Sequence, residues 1–292
     1  MINVEIHPIE RVLSALDALI DDNPGFEPVV DFYEELLPIQ YEARPNLQGL
    51  RLNPEASKAK LKEGVPLLWG EFGEPDSIGS EPNVELFMTL CRLAAQGGNE
   101  GGELLMRAFL DGKIDLQRLL AKALLLDRAY MTELARSLQV DLVLLEAISR
   151  NTLLPITWAY GTAFAQAMNF SEWSKGYCPV CGAWPTLSEL RGRDKKRHLR
   201  CGRCATSWRF DRLRCLWCDN SDQKQLGFLF DPDNRTLRID VCHYCNAYSK
   251  TIITFDSLNA EMLLVHDLRT IFLDQMAAGE GYTRPHKPPL VR

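Results

Sequence analysis

Four CxxC pairs lie within one stretch of the chain, and they read Cys178-Pro-Val-Cys181, Cys201-Gly-Arg-Cys204, Cys215-Leu-Trp-Cys218 and Cys242-His-Tyr-Cys245. A CxxC turn directs two sulfur atoms at one point, and two such turns complete a tetrahedral site of four thiolates. The eight cysteines therefore predict two metal ions per chain, with no ligand left over. Soft thiolate sites take iron, in a rubredoxin-type site, or zinc, so the spacing does not choose between these metals.

The spacing between the pairs indicates which cysteines share a site. The first two pairs flank a segment of hairpin length that turns at 191–194, and the last two flank another that turns at 231–234. Both turns contain the Gly, Pro, Asp or Asn that such turns need. We therefore assign Cys178, Cys181, Cys201 and Cys204 to site one, and Cys215, Cys218, Cys242 and Cys245 to site two. An interleaved set of ligands is the alternative that the spacing leaves open.

The residue after each pair must turn the chain so that backbone amides face the sulfur atoms. Gly182 and Asn246 stand at this position after the first and fourth pairs, and both tolerate a positive φ. Ala205 and Asp219 stand there after the second and third pairs and fit less well.

The rest of the 292-residue chain has a helical pattern and an ordinary globular composition, with 46% hydrophobic and 25% charged residues. The predicted fold class is α+β, with an N-terminal all-α helical domain, two small rubredoxin-like or zinc-ribbon-like four-cysteine modules and a C-terminal helix. The second helix is predicted to end at Pro38, and long helices are predicted at 116–138 and 142–168. The expected bounds are a helical domain at 1–170, modules at 171–212 and 213–256, a helix at 257–280 and an extended tail at 281–292.

Neither a leader nor a membrane span is predicted. The first thirteen residues lack a basic and then apolar run, so they do not resemble a signal peptide. The segment 151–171 is uncharged and long enough to cross a membrane, but it contains Pro155, Gly161 and several polar residues. We predict a buried helix there. A cytoplasmic location is expected, where CxxC pairs indicate metal or redox chemistry rather than structural disulfides.

No catalytic centre is predicted. The chain lacks a Walker loop, a GxGxxG motif after a strand and a GxSxG elbow, and its five histidines are scattered. His243 lies inside the fourth CxxC pair, but four cysteines already fill that site, so we expect it at the surface or just outside the ligands. Cys91 lies on an apolar helical stripe and is predicted to be a buried core thiol. We expect a protein that is not an enzyme.

Positive charge is concentrated between the two predicted sites. The segment 191–214 contains ten Lys or Arg and two acids, whereas the whole chain has a net charge of −6. These cations either compensate the thiolate charge or form a docking face for an acidic partner or RNA. Four aromatic residues lie among or beside them and could stack on bases or pack around the cysteine turns, namely Trp184, Trp208, Phe210 and Trp217.

The motifs CPVCGAWP, CGRCATSW, CLWC preceded by Arg214, CHYCNAYSK and LDQMAAGEGYTR resemble those of the formate dehydrogenase accessory proteins of the FdhE family. The resemblance covers about residues 177–286, while the helical half matches only in general character. It implies a cytoplasmic protein that is not an enzyme and that assists maturation of respiratory formate dehydrogenase by binding its catalytic subunit. It also implies rubredoxin-type iron bound by the eight cysteines of site one and site two.

Three functions therefore compete at this point. The favoured one is a maturation factor that binds a redox-enzyme subunit, with a homodimer as a further arrangement. The second is a zinc-ribbon nucleic-acid-binding protein, although the net negative charge of the chain argues against nucleic acid as a partner. The third is a redox chaperone that uses free CxxC thiols, which requires exposed thiols of low pKa.

Overall fold

The structure is a computed structural model that describes residues 8–45, 53–69 and 78–285. The chain divides into two compact units. Unit one comprises Met1–Leu50 and Leu68–Ala163, and unit two comprises Arg51–Leu67 and Phe164–Arg292. Each unit is described by itself below.

Unit one is helical where the structure describes it. Its helices are α1 (Pro8–Asp22), α2 (Glu27–Glu42), α4 (Glu81–Gln96), α5 (Glu100–Leu110), α6 (Leu116–Leu124), α7 (Arg128–Leu138) and most of α8 (Leu142–Ala167), while α3 (Pro54–Glu63) belongs to unit two. Their apolar stripes face inward, and Leu16, Leu36, Phe87, Leu105 and Leu119 are fully buried. The predicted helical core is therefore present.

Two helix boundaries differ from those predicted. Helix α2 continues through Pro38 to Glu42 instead of ending at the proline. The predicted helix over 116–138 is two helices, because Leu126 has a positive φ and Asp127 starts α7 by accepting a hydrogen bond from the Tyr130 amide. A continuous apolar period hid this break, although an Asp at a helix start is a readable signal.

The uncharged segment 151–171 forms the second half of α8 and the start of the following turn. Leu153 and Ile156 are buried on it, so the predicted buried helix is confirmed. Within the ranges described above, no helix is both long and apolar enough to cross a bilayer.

Unit two is built on one six-stranded sheet. Its strands are β1 (Leu187–Arg191), β2 (Lys196–Arg200), β3 (Ser207–Arg209), β4 (Leu226–Phe230), β5 (Leu237–Cys242) and β6 (Ala247–Thr254), in the order β3-β2-β1-β6-β5-β4. The predicted hairpins are confirmed as β1–β2 and β4–β5. They are not separate sheets, because β1 pairs in parallel with β6, with Ser188 opposite Thr251. The α+β class with two cysteine modules is confirmed.

The predicted C-terminal helix over 257–280 is wrong as a single element. The structure has α9 (Leu263–Arg269) and α10 (Ile271–Gly279), separated at the buried Thr270, whose hydroxyl donates to the His266 carbonyl. Helix α10 packs Leu273 and Ala277 against the sheet. Of the predicted tail, Thr283 forms an isolated bridge with Ala247, and residues 286–292 lie outside the described residues.

Candidate metal centres

Site one brings four sulfur atoms together in the interior. The Cys178 and Cys204 sulfurs are 3.4 Å apart, and those of Cys181 and Cys201 are 3.5 Å apart. All four lie within 4.8 Å of one another, and all four residues are fully buried. The β1–β2 hairpin carries its first CxxC turn before β1 and its second after β2, which closes the cluster.

Site two repeats this arrangement around the β4–β5 hairpin. The Cys215 and Cys245 sulfurs are 3.7 Å apart, those of Cys218 and Cys242 are 3.8 Å apart, and all four lie within 4.8 Å. Cys218 and Cys245 are only half-buried. Site two is therefore more open to solvent than site one.

The sulfur geometry fits a metal ion at each site. A tetrahedral ion with metal–sulfur bonds of about 2.3 Å holds its sulfurs about 3.8 Å apart, whereas a disulfide needs about 2.05 Å. The contacts of 3.4–3.8 Å join cysteines of different CxxC turns. The two clusters could hold two metal ions. The structure groups the cysteines as the spacing predicted, without interleaving, while their ligation of a metal stays a prediction.

Each CxxC turn is followed by a residue of positive φ, namely Gly182, Ala205, Asp219 and Asn246. In the first three turns that residue's amide donates to the carbonyl of the first cysteine, at 2.9–3.1 Å. Ala205 and Asp219 therefore adopt the same turn as Gly182, although their residue types fit a positive φ less well. Asp219 also accepts hydrogen bonds from the Arg214 guanidinium, which gives its side chain a further role.

Electrostatics in site one favour one thiolate over its neighbours. Burial raises the pKa of Cys178 and Cys204 well above the usual thiol value. Burial also opposes ionisation of Cys181, but hydrogen bonds from the other thiols and the charge of Arg203 lower its pKa well below that value. Four thiolates this close would repel one another, so a cation at the centre is needed to ionise all of them.

Site two shows the same division. Burial raises the pKa of Cys215 to about 12, and burial with the Cys215 charge raises that of Cys245. Burial opposes ionisation of Cys242 as well, but the backbone amides of Cys245 and Tyr244 donate to its sulfur and lower its pKa. Both clusters therefore have the donor chemistry of a cation site.

The two sites are close neighbours in unit two. Gly176, just before site one, lies so near site two that a Cβ there would stand 1.8 Å from the Leu216 carbonyl oxygen. The rings of Trp184 and Trp217 are in contact, with centroids 4.7 Å apart. The Trp217 indole also donates to the Tyr248 carbonyl on β6. The first and third CxxC turns are thus held beside each other by close backbone contact and by aromatic packing.

The basic segment 191–214 is only partly a surface. Arg197, Arg200 and Arg203 are buried, so these three cations do not belong to an exposed basic face. The Arg200 guanidinium donates to the fully buried Glu189 carboxylate at 2.9 Å, which Arg191 also contacts. Such pairing is what permits charges inside a protein. The exposed cations of the segment are Arg193, Lys196, Arg209 and Arg212.

Other sequence predictions can be placed directly. Trp208 and Phe210 are buried, which supports packing over base stacking. His243 is exposed, as predicted, and shares a 2.9 Å hydrogen bond with the Tyr282 hydroxyl. Cys91 is a buried thiol, as predicted, and burial raises its pKa to about 12.

The site and fold together define a metal-binding class of protein, with helices and a sheet that supports two four-cysteine clusters. Residues 177–212 match the family model described as FdhE, central domain. The chain is 32% identical over 129 residues to a protein FdhE homolog of Aquifex aeolicus, covering 41% of this chain and 44% of the relative. It is 34% identical over 111 residues to a protein FdhE homolog of Stutzerimonas stutzeri, covering 37% of this chain and 35% of the relative.

A solved structure extends the likeness along the chain. The crystal structure of the FdhE protein from Pseudomonas aeruginosa aligns with a TM-score of 0.62 and 22% identity, covering 95% of this chain and 93% of that one. At that identity the likeness shows the fold. The sequence matches span less than half the length of the two curated relatives. The resemblance to the FdhE family predicted from the sequence is confirmed.

Proposed function

We propose that this protein is an accessory factor for the maturation of respiratory formate dehydrogenase, and that it binds the catalytic subunit of that enzyme in the cytoplasm. The observation that supports this most is the pair of four-sulfur clusters, the first of which lies within the residues 177–212 that match the FdhE central domain. The protein acts by binding rather than by catalysis. A homodimer stays a prediction.

The eight cysteines hold one metal ion in each cluster. Cys178, Cys181, Cys201 and Cys204 are the ligands of the first ion, and Cys215, Cys218, Cys242 and Cys245 are those of the second. A bound ion supplies the charge that lets all four thiols of a cluster ionise, and it ties two CxxC turns together. Iron or zinc satisfies both requirements.

The structure gives less support to the alternatives. A free-thiol redox chaperone needs exposed sulfurs of low pKa, whereas site one is sealed and burial raises the pKa of the half-buried Cys245 in site two. Base stacking by the aromatic residues of the basic segment would need Trp208 and Phe210 to be exposed, whereas both are buried.

The test is capture of the catalytic subunit by protein purified without oxygen, with metal content measured on the same sample. We expect the wild type to retain the subunit and two ions, and a Cys181→Ser/Cys218→Ser variant to lose both. Cys91→Ala is the matched control, because Cys91 lies outside both clusters. Failure of the wild type to capture the subunit, with two ions bound, would refute the proposed partner.

A further inference from the structure

A cleft of about 240 Å³ opens beside site two. Four arginines line it, together with a single acid, and its lining also includes Cys215 and Cys242 of the cluster. The charged residues of the lining are Arg197, Arg212, Arg214, Arg238 and Asp240. A cationic cleft next to the more open of the two clusters is a distinct feature of unit two.

The floor of the cleft is formed by two buried arginines that share one acid. Arg238 and Arg197 are each 5% exposed, and their guanidinium groups lie 2.7 Å and 3.8 Å from the Asp240 carboxylate. The Nε of Arg238 is buried and has no hydrogen-bond partner among the residues that the structure describes. The Phe228 ring covers the Arg238 guanidinium, 4.6 Å from its centroid. The floor thus has a positive charge in excess and an unused donor.

The rim adds a second free charge and an apolar surface. Arg214 is neutralised by Asp219, whereas the exposed Arg212 forms no ion pair with any described residue. Leu213 and Phe228 line the cleft and are 52% and 51% exposed. Large apolar side chains exposed beside a cationic cleft are typical of a binding surface.

These charges favour a carboxylate ligand. Apart from the thiolates of site two, the arginines of the cleft exceed the acids that pair with them by about two charges, which suits one carboxylate held by a guanidinium fork. Asp240 on the floor would repel a doubly charged phosphate more strongly than a singly charged carboxylate. A nucleic acid requires cations spaced along its backbone, whereas here they converge on one point. The half-exposed Leu213 and Phe228 favour a ligand that has an apolar group beside its carboxylate, and a peptide can supply both.

We propose that this cleft binds a glutamate or aspartate side chain of a partner protein, and that an apolar neighbour of this residue packs on Leu213 and Phe228. The inference rests on the proposed function, because it names the chemistry of the surface through which the partner docks. The competing explanation is that the arginines only compensate the thiolates of site two.

The experiment uses the full, metal-loaded protein and two dye-labelled peptides that differ only in Leu-Glu-Phe against Leu-Gln-Phe. Fluorescence anisotropy should show at least tenfold tighter binding of the glutamate peptide, equivalent to about 1.4 kcal/mol. Arg212→Glu should weaken its binding at least tenfold and leave metal content unchanged. Arg193→Glu is the matched control, because Arg193 is exposed, lies outside the cleft and undergoes the same change of charge. It should alter binding less than twofold.

Several results would overturn the proposal that the cleft binds an acidic side chain. The proposal fails if the two peptides bind equally, or if neither binds at concentrations up to about 1 mM. It also fails if Arg212→Glu and Arg193→Glu weaken peptide binding equally, or if inorganic phosphate displaces the peptide more strongly than acetate does. Loss of metal from Arg212→Glu with unchanged peptide binding would establish charge compensation instead. If the Arg212→Glu variant still captures the catalytic subunit as the wild type does, the cleft is not the docking site, but the proposed function stands. Absence of capture by the wild type, with glutamate discrimination intact, would refute only that partner.

Discussion

Site one and site two are built from the same CxxC spacing, yet they lie in different surroundings. All four cysteines of site one are fully buried, whereas Cys218 and Cys245 of site two are half-buried. Site one is enclosed by β1, β2 and packed aromatic side chains, while site two borders an open cleft lined with arginines. The ligand pattern specifies a metal, but the environment decides whether that metal is accessible.

This difference separates two roles that the sequence motif alone does not distinguish. A sealed cluster can only stabilise the fold around it. A cluster at the edge of a cleft can in addition be reached by a partner or a small molecule. We therefore expect the two ions to have the same set of four thiolate ligands but to differ in how readily they react with molecules from solution.

The largest effect should follow removal of both ions. Structural thiolate sites contribute on the order of 10 kcal/mol to folding, so a strong chelator should unfold the sheet of unit two. The helices of unit one have an apolar core of their own and should persist. Hydrogen exchange should lose protection over 178–254 and keep it in α4 and α5. Loss of all helical circular dichroism would show that the units fold together.

A large effect is also expected from Gly176→Ala, which tests whether the two sites share a rigid frame. The added methyl group would overlap the Leu216 carbonyl, and backbone must move to admit it. We expect a loss of at least about 3 kcal/mol of unfolding free energy, measured by denaturant titration of metal-loaded protein. Gly279→Ala is the control, because a Cβ there meets nothing within 4 Å. Similar stability of both variants would disprove the close approach.

Metal release tests the difference in accessibility directly. When metal release is followed by the absorbance of a chromogenic chelator, we expect the ion of site two to leave at least ten times faster than the ion of site one. Cys218→Ser should abolish the fast phase and Cys181→Ser the slow one, because thiolate ligation is local. A single phase for the wild type would contradict the distinction between a sealed and an open site.

The smallest effect concerns Ala205, whose φ of 59° is costly for a residue with a Cβ. Glycine would relieve this cost but adds freedom to the unfolded chain, so Ala205→Gly should stabilise by less than about 1 kcal/mol. Asn246→Gly should change less, since asparagine tolerates this conformation. Thermal unfolding of both variants checks the comparison. A clear destabilisation by Ala205→Gly would show that its methyl packing outweighs the backbone strain.

The sequence predicted the local parts of this structure well. The hairpins followed from turn residues between cysteine pairs, and the grouping of the cysteines followed from the hairpins. The break between α6 and α7 was missed because the apolar stripe continues across Leu126. The C-terminal helix was predicted as one because nothing in the apolar pattern marks Thr270.

Contacts between residues far apart in the sequence could not be predicted from the sequence patterns. Nothing in the segment 187–191 indicates that its partner is β6, and a parallel pair has no turn to reveal it. Counting charge in 191–214 suggested a continuous basic face. Burial of Arg197 and Arg200 depends on Asp240 and Glu189, whose positions only the folded sheet determines.

The parallel pairing of β1 with β6 imposes an order on the synthesis of this protein. The ligands of site one and both strands of its hairpin are complete when the ribosome has made residue 204, whereas the strand that joins β1 is complete only at Thr254. Pairing over so long a separation is slow because the intervening chain must first be ordered. The nascent chain therefore has an interval in which the first ion can enter while one edge of β1 is still unpaired. Without the ion, nothing ties together the two CxxC turns that flank the β1–β2 hairpin during this interval, so metal starvation during translation should promote aggregation through unpaired strand edges, even when the finished protein retains its ions firmly.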